Sequence, residues 1–459
     1  MIVSARWARF LRSMLLIGIL FMPAWGQAWQ NQASTLTAYL EQGIRSRMHS
    51  GGFACQGELI CGVEAMPTFY QQHEYHPVWG LEHGLWEKFE AMLDCISSVP
   101  EHALNPRDYH YFALQTLWFN VREHWPTPDP QNLLDAEILL TDAFLTLAGH
   151  LRAGRVNPET LHPSWIPYAH APDLIAALDR ALKDGSFAWE LQRQIPPHPE
   201  YRALRRAWQR YKGLAAGGGW PRVPEGPSLR QGDEDPRVVS LGQRLQVTGD
   251  LNLEANATLA PLFDESMDRA VRSFQRRHGL SVDGVVGPKT LAALNVPVGE
   301  RVRQMALNME RWRWIPRDLG QRHVRVNVAS FSLLLHSGNG TDMRQRVIVG
   351  KTARRTPVFS DRITYAVFNP TWRVPRSIMV KDILPKVIKD PEYLKEHSMT
   401  LLSGWGEQAT EIDPESIDWE SVDPRAFPYR LRQEPGAHNA LGRIKFMFPN
   451  PFSVYLHDT

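Results

Sequence analysis

The sequence predicts a multidomain α+β protein, and three observations carry that prediction. Apolar residues recur with helical spacing over residues 29 to about 225. A compact run of helix starts, stops and turn residues follows at 233–297. From His323 the pattern changes to alternation with period two. The 459 residues are enough for about three domains. Hydrophobic residues make up 43% and charged residues 22%, a balance that builds cores and excludes general disorder.

The N-terminus reads as a targeting segment. Arg6, Arg9 and Arg12 precede the apolar run Met14 to Met22, Pro23 breaks it, and Gly26-Gln27-Ala28 is a small-x-small cleavage site. Residues 1–28 are therefore expected to be a signal peptide, with an uncleaved anchor as the alternative. The run is short for a bilayer, which needs about 20 apolar residues. No cysteine follows it directly, which argues against a lipoprotein. Cleavage would take away three arginines and no acids, moving the formal charge from +2 to −1. Such a chain is not steered to nucleic acid. Arg202, Arg205, Arg206 and Arg210 have helical spacing and read as a solvated face.

Within 29–225 the strongest helix runs through Leu134, Ile138, Leu139, Ala143, Leu145 and Leu147, with Asp135, Thr141 and Asp142 interspersed, and Gly154 as its stop. Gly217-Gly218-Gly219 and the stretch Pro224 to Gly232 mark a loop and linker. In the module at 233–297, Asp235-Pro236 starts a helix through Val238, Leu241 and Leu245. Asp264 opens a second helix through Met267, Ala270, Val271 and Phe274, closed by Gly279. Gly287-Pro288 starts a third. A helix over 301–314 connects onward to 320. Strands are expected at 324–328, 331–335, 346–349 and 444–448, with 376–432 inserted as helical and loop-like sequence. Phe452, Val454 and Leu456 alternate with polar residues in a last strand that leads to His457-Asp458.

Three of these regions resemble known families. Residues 233–297 resemble the type 1 peptidoglycan-binding domain, on Ala270-Val271-xx-Phe274-Gln275 and Gly279-Leu280-xx-Asp283-Gly284-xx-Gly287-Pro288-xx-Leu291. Residues 321–459 resemble the YkuD-type catalytic domain of large periplasmic L,D-transpeptidases. That likeness rests on Val349-Gly350-Lys351, Arg355-Thr356-Pro357, Phe368-Asn369-Pro370-x-Trp372-x-Val374-Pro375, Pro435-Gly436-xx-Asn439-Ala440-Leu441-Gly442, Lys445-Phe446-x-Phe448-Pro449-Asn450 and Tyr455-Leu456-His457-Asp458-Thr459. Residues 29–225, with Phe69-Tyr70 to Trp79 and Leu151 to Pro158, resemble the helical scaffold domain that precedes them in such enzymes.

The resemblance implies a periplasmic enzyme that forms 3→3 peptidoglycan crosslinks from tetrapeptide stems through a cysteine acyl-enzyme. It makes His457 the candidate general base and residues 376–432 a lid. An imidazole beside sulfur generates the thiolate such chemistry needs, and backbone N–H groups would hold the oxyanion. The implied partners are stem peptides and glycan, with cell-wall synthases as candidates, and no cofactor is implied. The family's nucleophile lies in a Ser-Gly-Cys type motif just beyond the His-Asp-Thr segment, whereas this chain has only Cys55, Cys61 and Cys95. With 376–432 set aside, residues 321–459 also fall short of the roughly 100 residues of a closed β domain. The expectation is thus an incomplete, C-terminally truncated catalytic domain, inactive by itself. The competing reading is a non-catalytic peptidoglycan-binding scaffold.

Other readings are weaker. Gly350-Lys351-Thr352 lacks the first glycine of a phosphate loop, Gln345 standing in its place. His73, His76 and His83 have no His-Glu-x-x-His spacing for zinc, which also weakens a zinc amidase. Trp312, Trp314, Trp372, Trp405 and Trp419 suit packing, with one or two available for a substrate groove near the insertion. Cys55 and Cys61 could close a small loop and leave Cys95 over, or remain free.

Overall fold

Helix signals in the sequence become helices in the same order. The structure, a computed structural model, describes residues 23–50, 54–80, 83–161, 173–252, 258–338, 340, 342–406 and 408–458. The basic and apolar parts of the expected signal peptide lie outside these residues. The rest divides into two compact units that meet in sequence at Arg354 and Arg355.

The first unit opens with α1 (Pro23–Ser50) and a short hairpin, β1 (Ala54–Cys55) with β2 (Glu58–Leu59). Helices α2 (Ala65–Gln72), α3 (His83–Ser98) and α4 (Tyr111–Glu123) lead to α5 (Pro130–Ala153). Asp129 caps α5 by accepting from the Gln131 amide, Pro130 occupies its first turn, and Gly154 ends it at φ +87°. A β-carbon on Gly154 would sit 2.4 Å from Trp314 Nε1 and 2.5 Å from Glu310 Oε1, so glycine lets these side chains close over the helix end.

Helix α5 is buried from Leu133 to Ala148, and its acids are used rather than hidden. Asp135 accepts from Arg47, Gln56 and Gln131. Glu137 accepts from the amides of Val78 and Trp79 and from the Tyr70 hydroxyl. Asp142 accepts from the amides of Cys61 and Gly62 and meets His110 Nε2 at 2.6 Å. Irregular backbone at 56–79 thus finds its partners on one helix, as buried amides must. Burial pushes the Glu137 carboxyl up to about 7, against the bonds it accepts. Burial acts to lower the His110 imidazole, but hydrogen bonds and charge from Asp142 and Glu58 raise it overall.

Helices α6 (Pro158–Leu161), α7 (Leu174–Asp184), α8 (Phe187–Gln194) and α9 (Pro199–Ala216) complete the helical part. The three-helix module follows as α10 (Arg237–Thr248), α11 (Glu265–Arg277) and α12 (Pro288–Leu294). Asp264 caps α11 through the Met267 amide at 2.8 Å. Val238, Leu241, Leu245, Val271, Phe274 and Leu294 fill its core. The buried Gln275 amide donates to Asp283, Val285 and Thr290 and accepts from the amides of Asp283 and Gly284, which fixes the turn between α11 and α12.

Helix α13 (Val298–Arg313) returns to the helical part. Its buried Arg313 donates to the His102 carbonyl, Tyr201 and Glu310. Glu310 in turn accepts from the amides of Arg155 and Val156. Strands β3 (His323–Asn327), β4 (Ser332–His336) and β5 (Met343–Arg346) form an antiparallel sheet with Leu333 opposite Gln345. The strand expected at 346–349 lies earlier, because pairing with β4 selects Met343–Arg346.

The second unit begins with β6 (Tyr365–Phe368) and β7 (Trp372–Arg373). One-turn helices α14 (Arg376–Ile378), α15 (Leu384–Val387) and α16 (Tyr393–Glu396) follow. Strands β8 (Met399–Leu402), β9 (Glu411–Ile412) and β10 (Arg430–Gln433) come next, then β11 (Ile444–Met447) and β12 (Leu456–His457). They form two antiparallel sheets, β7-β10-β8-β9 and β12-β11-β6. Residues 376–432 therefore hold strands as well as the expected helices and loops. They supply most of the unit's core: Met379, Leu384, Val387, Leu401, Trp419 and Leu431. These strands are two to four residues long, too short to show a period in sequence. Among the described residues no helix is long and apolar enough to cross a membrane.

Candidate active site

The candidate site is built on the β12-β11-β6 sheet and the loop from β10 to β11. That loop is folded by two buried amides. Asn439 Nδ2 donates to the carbonyls of Glu434 at 2.9 Å, Pro370 at 3.0 Å and Gln433 at 3.4 Å, and its Oδ1 accepts from the Leu441 amide at 2.7 Å. Gln433 Nε2 donates to the carbonyls of His397 and His438, and its Oε1 accepts from the Ala440 amide. The Pro435-to-Gly442 motif is thus a self-bonded loop that delivers the chain to β11.

Gly442 lies at φ +62°, and a β-carbon there would come 2.3 Å from the Asp458 carboxyl carbon. Glycine is needed both for the left-handed backbone and for this approach. Asp458 Oδ1 accepts from the amides of Arg443 at 2.8 Å and Ile444 at 3.0 Å. These bonds, that from Ile444 foremost, hold its carboxyl below the ordinary value. The residue after the histidine therefore locks the end of β12 beside the start of β11.

His457 is exposed on β12, and its Nδ1 lies 2.8 Å from the Asp458 carbonyl, which sets that nitrogen as the donor. In the neutral imidazole Nε2 is then the acceptor, the form a base requires. Lys445 is the direct cross-strand partner of His457. Tyr455 lies two residues before His457, with ring centroids 5.8 Å apart. The Lys445 ammonium sits 3.7 Å from the Tyr455 ring centroid. Burial lowers the Lys445 ammonium and raises the Tyr455 hydroxyl, the latter opposed by the neighbouring Trp372 side chain.

The strand expected over 452–457 shortens to Leu456–His457. Asn450 captures the preceding backbone: its Oδ1 accepts from the amides of Phe452 and Val454, and its Nδ2 donates to the carbonyls of Phe448 and Val454. Ser453 sits at φ +54° inside this turn. An asparagine that offers the backbone such bonds competes with a sheet ladder.

The cysteines lie in the first unit and are free. The loop closure open to Cys55 and Cys61 is not formed. Burial, with Asp135 beside it, pushes the Cys55 thiol up to about 12. Burial pushes Cys95 up to about 11 and also raises the exposed Cys61. None of them is a ready thiolate at neutral pH.

Sequence reading missed the hub role of Asn439 and the grouping of Lys445, Tyr455 and Trp372 with His457. Both depend on cross-strand placement. Of the tryptophans weighed there, Trp419 and Trp314 are buried, while Trp405 is 40% exposed with the Arg373 guanidinium 5.4 Å from its ring. His73 pairs with Asp179 and His76 with Glu41.

Comparison with known families agrees with this layout. Residues 64–207 match the scaffold domain, 234–294 the "Putative peptidoglycan binding domain", and 321–459 the L,D-transpeptidase catalytic domain, YkuD. Residues 321–459 are thus similar to the catalytic domain of the L,D-transpeptidases, an acyltransferase family. A "Putative L,D-transpeptidase" of Haemophilus influenzae is 41% identical over 157 residues, 34% of this chain and 31% of that protein. The N-acetylmuramoyl-L-alanine amidase CwlM of Mycobacterium tuberculosis is 41% identical over 81 residues, 16% of this chain and 20% of that protein. The matches thus span about a third and a fifth of these relatives.

Proposed function

We propose that the protein is a periplasmic L,D-transpeptidase that forms 3→3 crosslinks in peptidoglycan. The match of residues 321–459 to the catalytic domain carries the reading, and the exposed His457 with an acceptor Nε2 supports it. A cysteine thiolate attacks the carbonyl of the third residue of a tetrapeptide stem. The bond to the terminal D-alanine breaks, and its amine leaves with a proton from the imidazolium. The side-chain amine of a second stem then attacks the thioester, gives its proton to the imidazole, and releases the thiolate. His457 is the base in this scheme.

In the same reading residues 1–28 export the chain, 29–225 form the scaffold domain, 233–297 bind the wall, 298–320 connect, and 376–432 cover the donor within the catalytic domain at 321–459. Stem peptides and glycan are the partners, with cell-wall synthases as further candidates. Cys55, Cys61 and Cys95 are unsuited to the nucleophile's role, because burial disfavours the thiolate of each. The nucleophile's role is therefore assigned to none of these three thiols. The same observation favours the second reading, a wall-binding scaffold without catalysis.

A labelled carbapenem separates the two. The complete product of the gene is expected to carry the label on a cysteine other than these three and to lose it on replacement of that cysteine. Sacculus binding with no covalent label on that product would leave the scaffold reading and remove the enzymatic one.

A further inference from the structure

The edge that presents His457 also presents a cation, Lys445. Lys445 and His457 face each other directly across β11 and β12, so their side chains leave the sheet on one face with β-carbons about 5 Å apart. Tyr455 is on that face too, and its ring fixes the ammonium 3.7 Å from the ring centroid. Stacking on a ring face occupies the charge but leaves N–H donors of the ammonium open. Among the described residues no carboxylate pairs with Lys445. Asp458, next to His457 in sequence, is engaged by the amides of Arg443 and Ile444 instead.

We propose that Lys445, held on Tyr455, binds the terminal carboxylate of the donor peptide, that of the D-alanine about to leave. This rests on the acyl-transfer reading above. The bond that breaks joins the acyl carbon to the D-alanine nitrogen, and the carboxylate carbon is two bonds from that nitrogen. A group that returns a proton to the nitrogen and a cation that holds the carboxylate must then be close neighbours. The cross-strand pair supplies that spacing. A compact ammonium on a flexible stem suits a carboxylate whose approach varies, and its bond is charge-assisted. Lys445 is on this account a specificity residue for donors with a free C-terminus.

The test uses the 459-residue chain and two tetrapeptide stems, one ending in D-alanine and one in D-alaninamide. Binding is read by NMR at the His457 imidazole, which excludes signals from the wall-binding module. The acid form is expected to bind about 5–10-fold tighter, the order of a partly exposed charge-assisted bond. Lys445→Gln should make the two peptides equal, and Lys445→Arg should keep the preference. Equal binding of both peptides to the unaltered chain, or a preference that survives Lys445→Gln, overturns the assignment and leaves the acyl-transfer reading standing. If neither peptide shifts His457, the carboxylate assignment falls, while the acyl-transfer reading is decided separately by the carbapenem label.

Discussion

Replacing Asn439 with alanine should release the loop that carries the chain into β11. The side chain is 6% exposed and makes two short donations and one short acceptance, at 2.9, 3.0 and 2.7 Å. Each buried hydrogen bond contributes about 1 kcal/mol net, and a partner left unsatisfied costs about 1–3 kcal/mol. The local opening of residues 440–443 should therefore become easier by about 2–4 kcal/mol. At 1.36 kcal/mol per decade, that is roughly a 30- to 1000-fold rise in the open population. Amide hydrogen exchange of Ala440, Leu441 and Gly442 in the intact chain reads it directly, since the loop opens locally without unfolding either unit. Asn439→Asp should be worse than alanine, because it turns a donor facing the Glu434 and Pro370 carbonyls into an acceptor. Exchange within threefold of the unaltered chain at all three amides would refute the reasoning.

Three further predictions follow from the same geometry. Gly442→Ala should cost about 1–2 kcal/mol in backbone strain alone, and it should also displace Asp458 from the Arg443 and Ile444 amides; a lower melting point for the C-terminal unit, with shifted His457 resonances, checks it. Burial, then Arg205 and Arg313, hold the His102 imidazole down at about 3 from 6.5. The unfolded chain thus takes up this proton first, and the stability His102 contributes above pH 6.5 is lost as pH falls toward 3. Glu137 runs the other way: its carboxyl is raised from 4.5 to about 7, so its contribution is greatest below 4.5 and declines as pH rises to 7. The two oppose each other between pH 4.5 and 6.5. His102→Gln and Glu137→Gln should accordingly change the slope of denaturant stability against pH in opposite senses, and parallel slopes would contradict the assignment. Finally, Cys55 and Cys95 should resist alkylation at pH 7.5 in the folded chain, while Cys61 reacts slowly; mass spectrometry of labelled peptides decides.

Local signals were readable, and long-range ones were not. Asp264, Gly279 and Gly287-Pro288 mark the helix ends of the three-helix module because caps and breakers act within a turn. Helix α5 was readable in the same way, from Leu134 through Gly154. Asp135, Glu137 and Asp142 gave no sequence signal of their role, since their partners, Gln131 apart, lie 32 to 88 residues away in chain order. His457 and Lys445 each stand in a sequence motif, but their pairing was not legible, because only the register of β11 against β12 brings the two together. The last strand was overdrawn because alternation at 452–457 ignores what Asn450 does to the backbone. Inside 376–432 the strands escape notice because pairing partners, not periodicity, define segments of two to four residues.

The most direct test of the central claim is the muropeptide composition of cells in which this gene is the sole source of L,D-transpeptidation. Mass spectrometry should show 3→3 linked dimers when the complete gene is expressed, and their loss with His457→Ala while the protein level and sacculus binding persist. Undiminished 3→3 dimers with His457→Ala would contradict the role of this histidine, and their absence with the unaltered gene would contradict the transpeptidase itself.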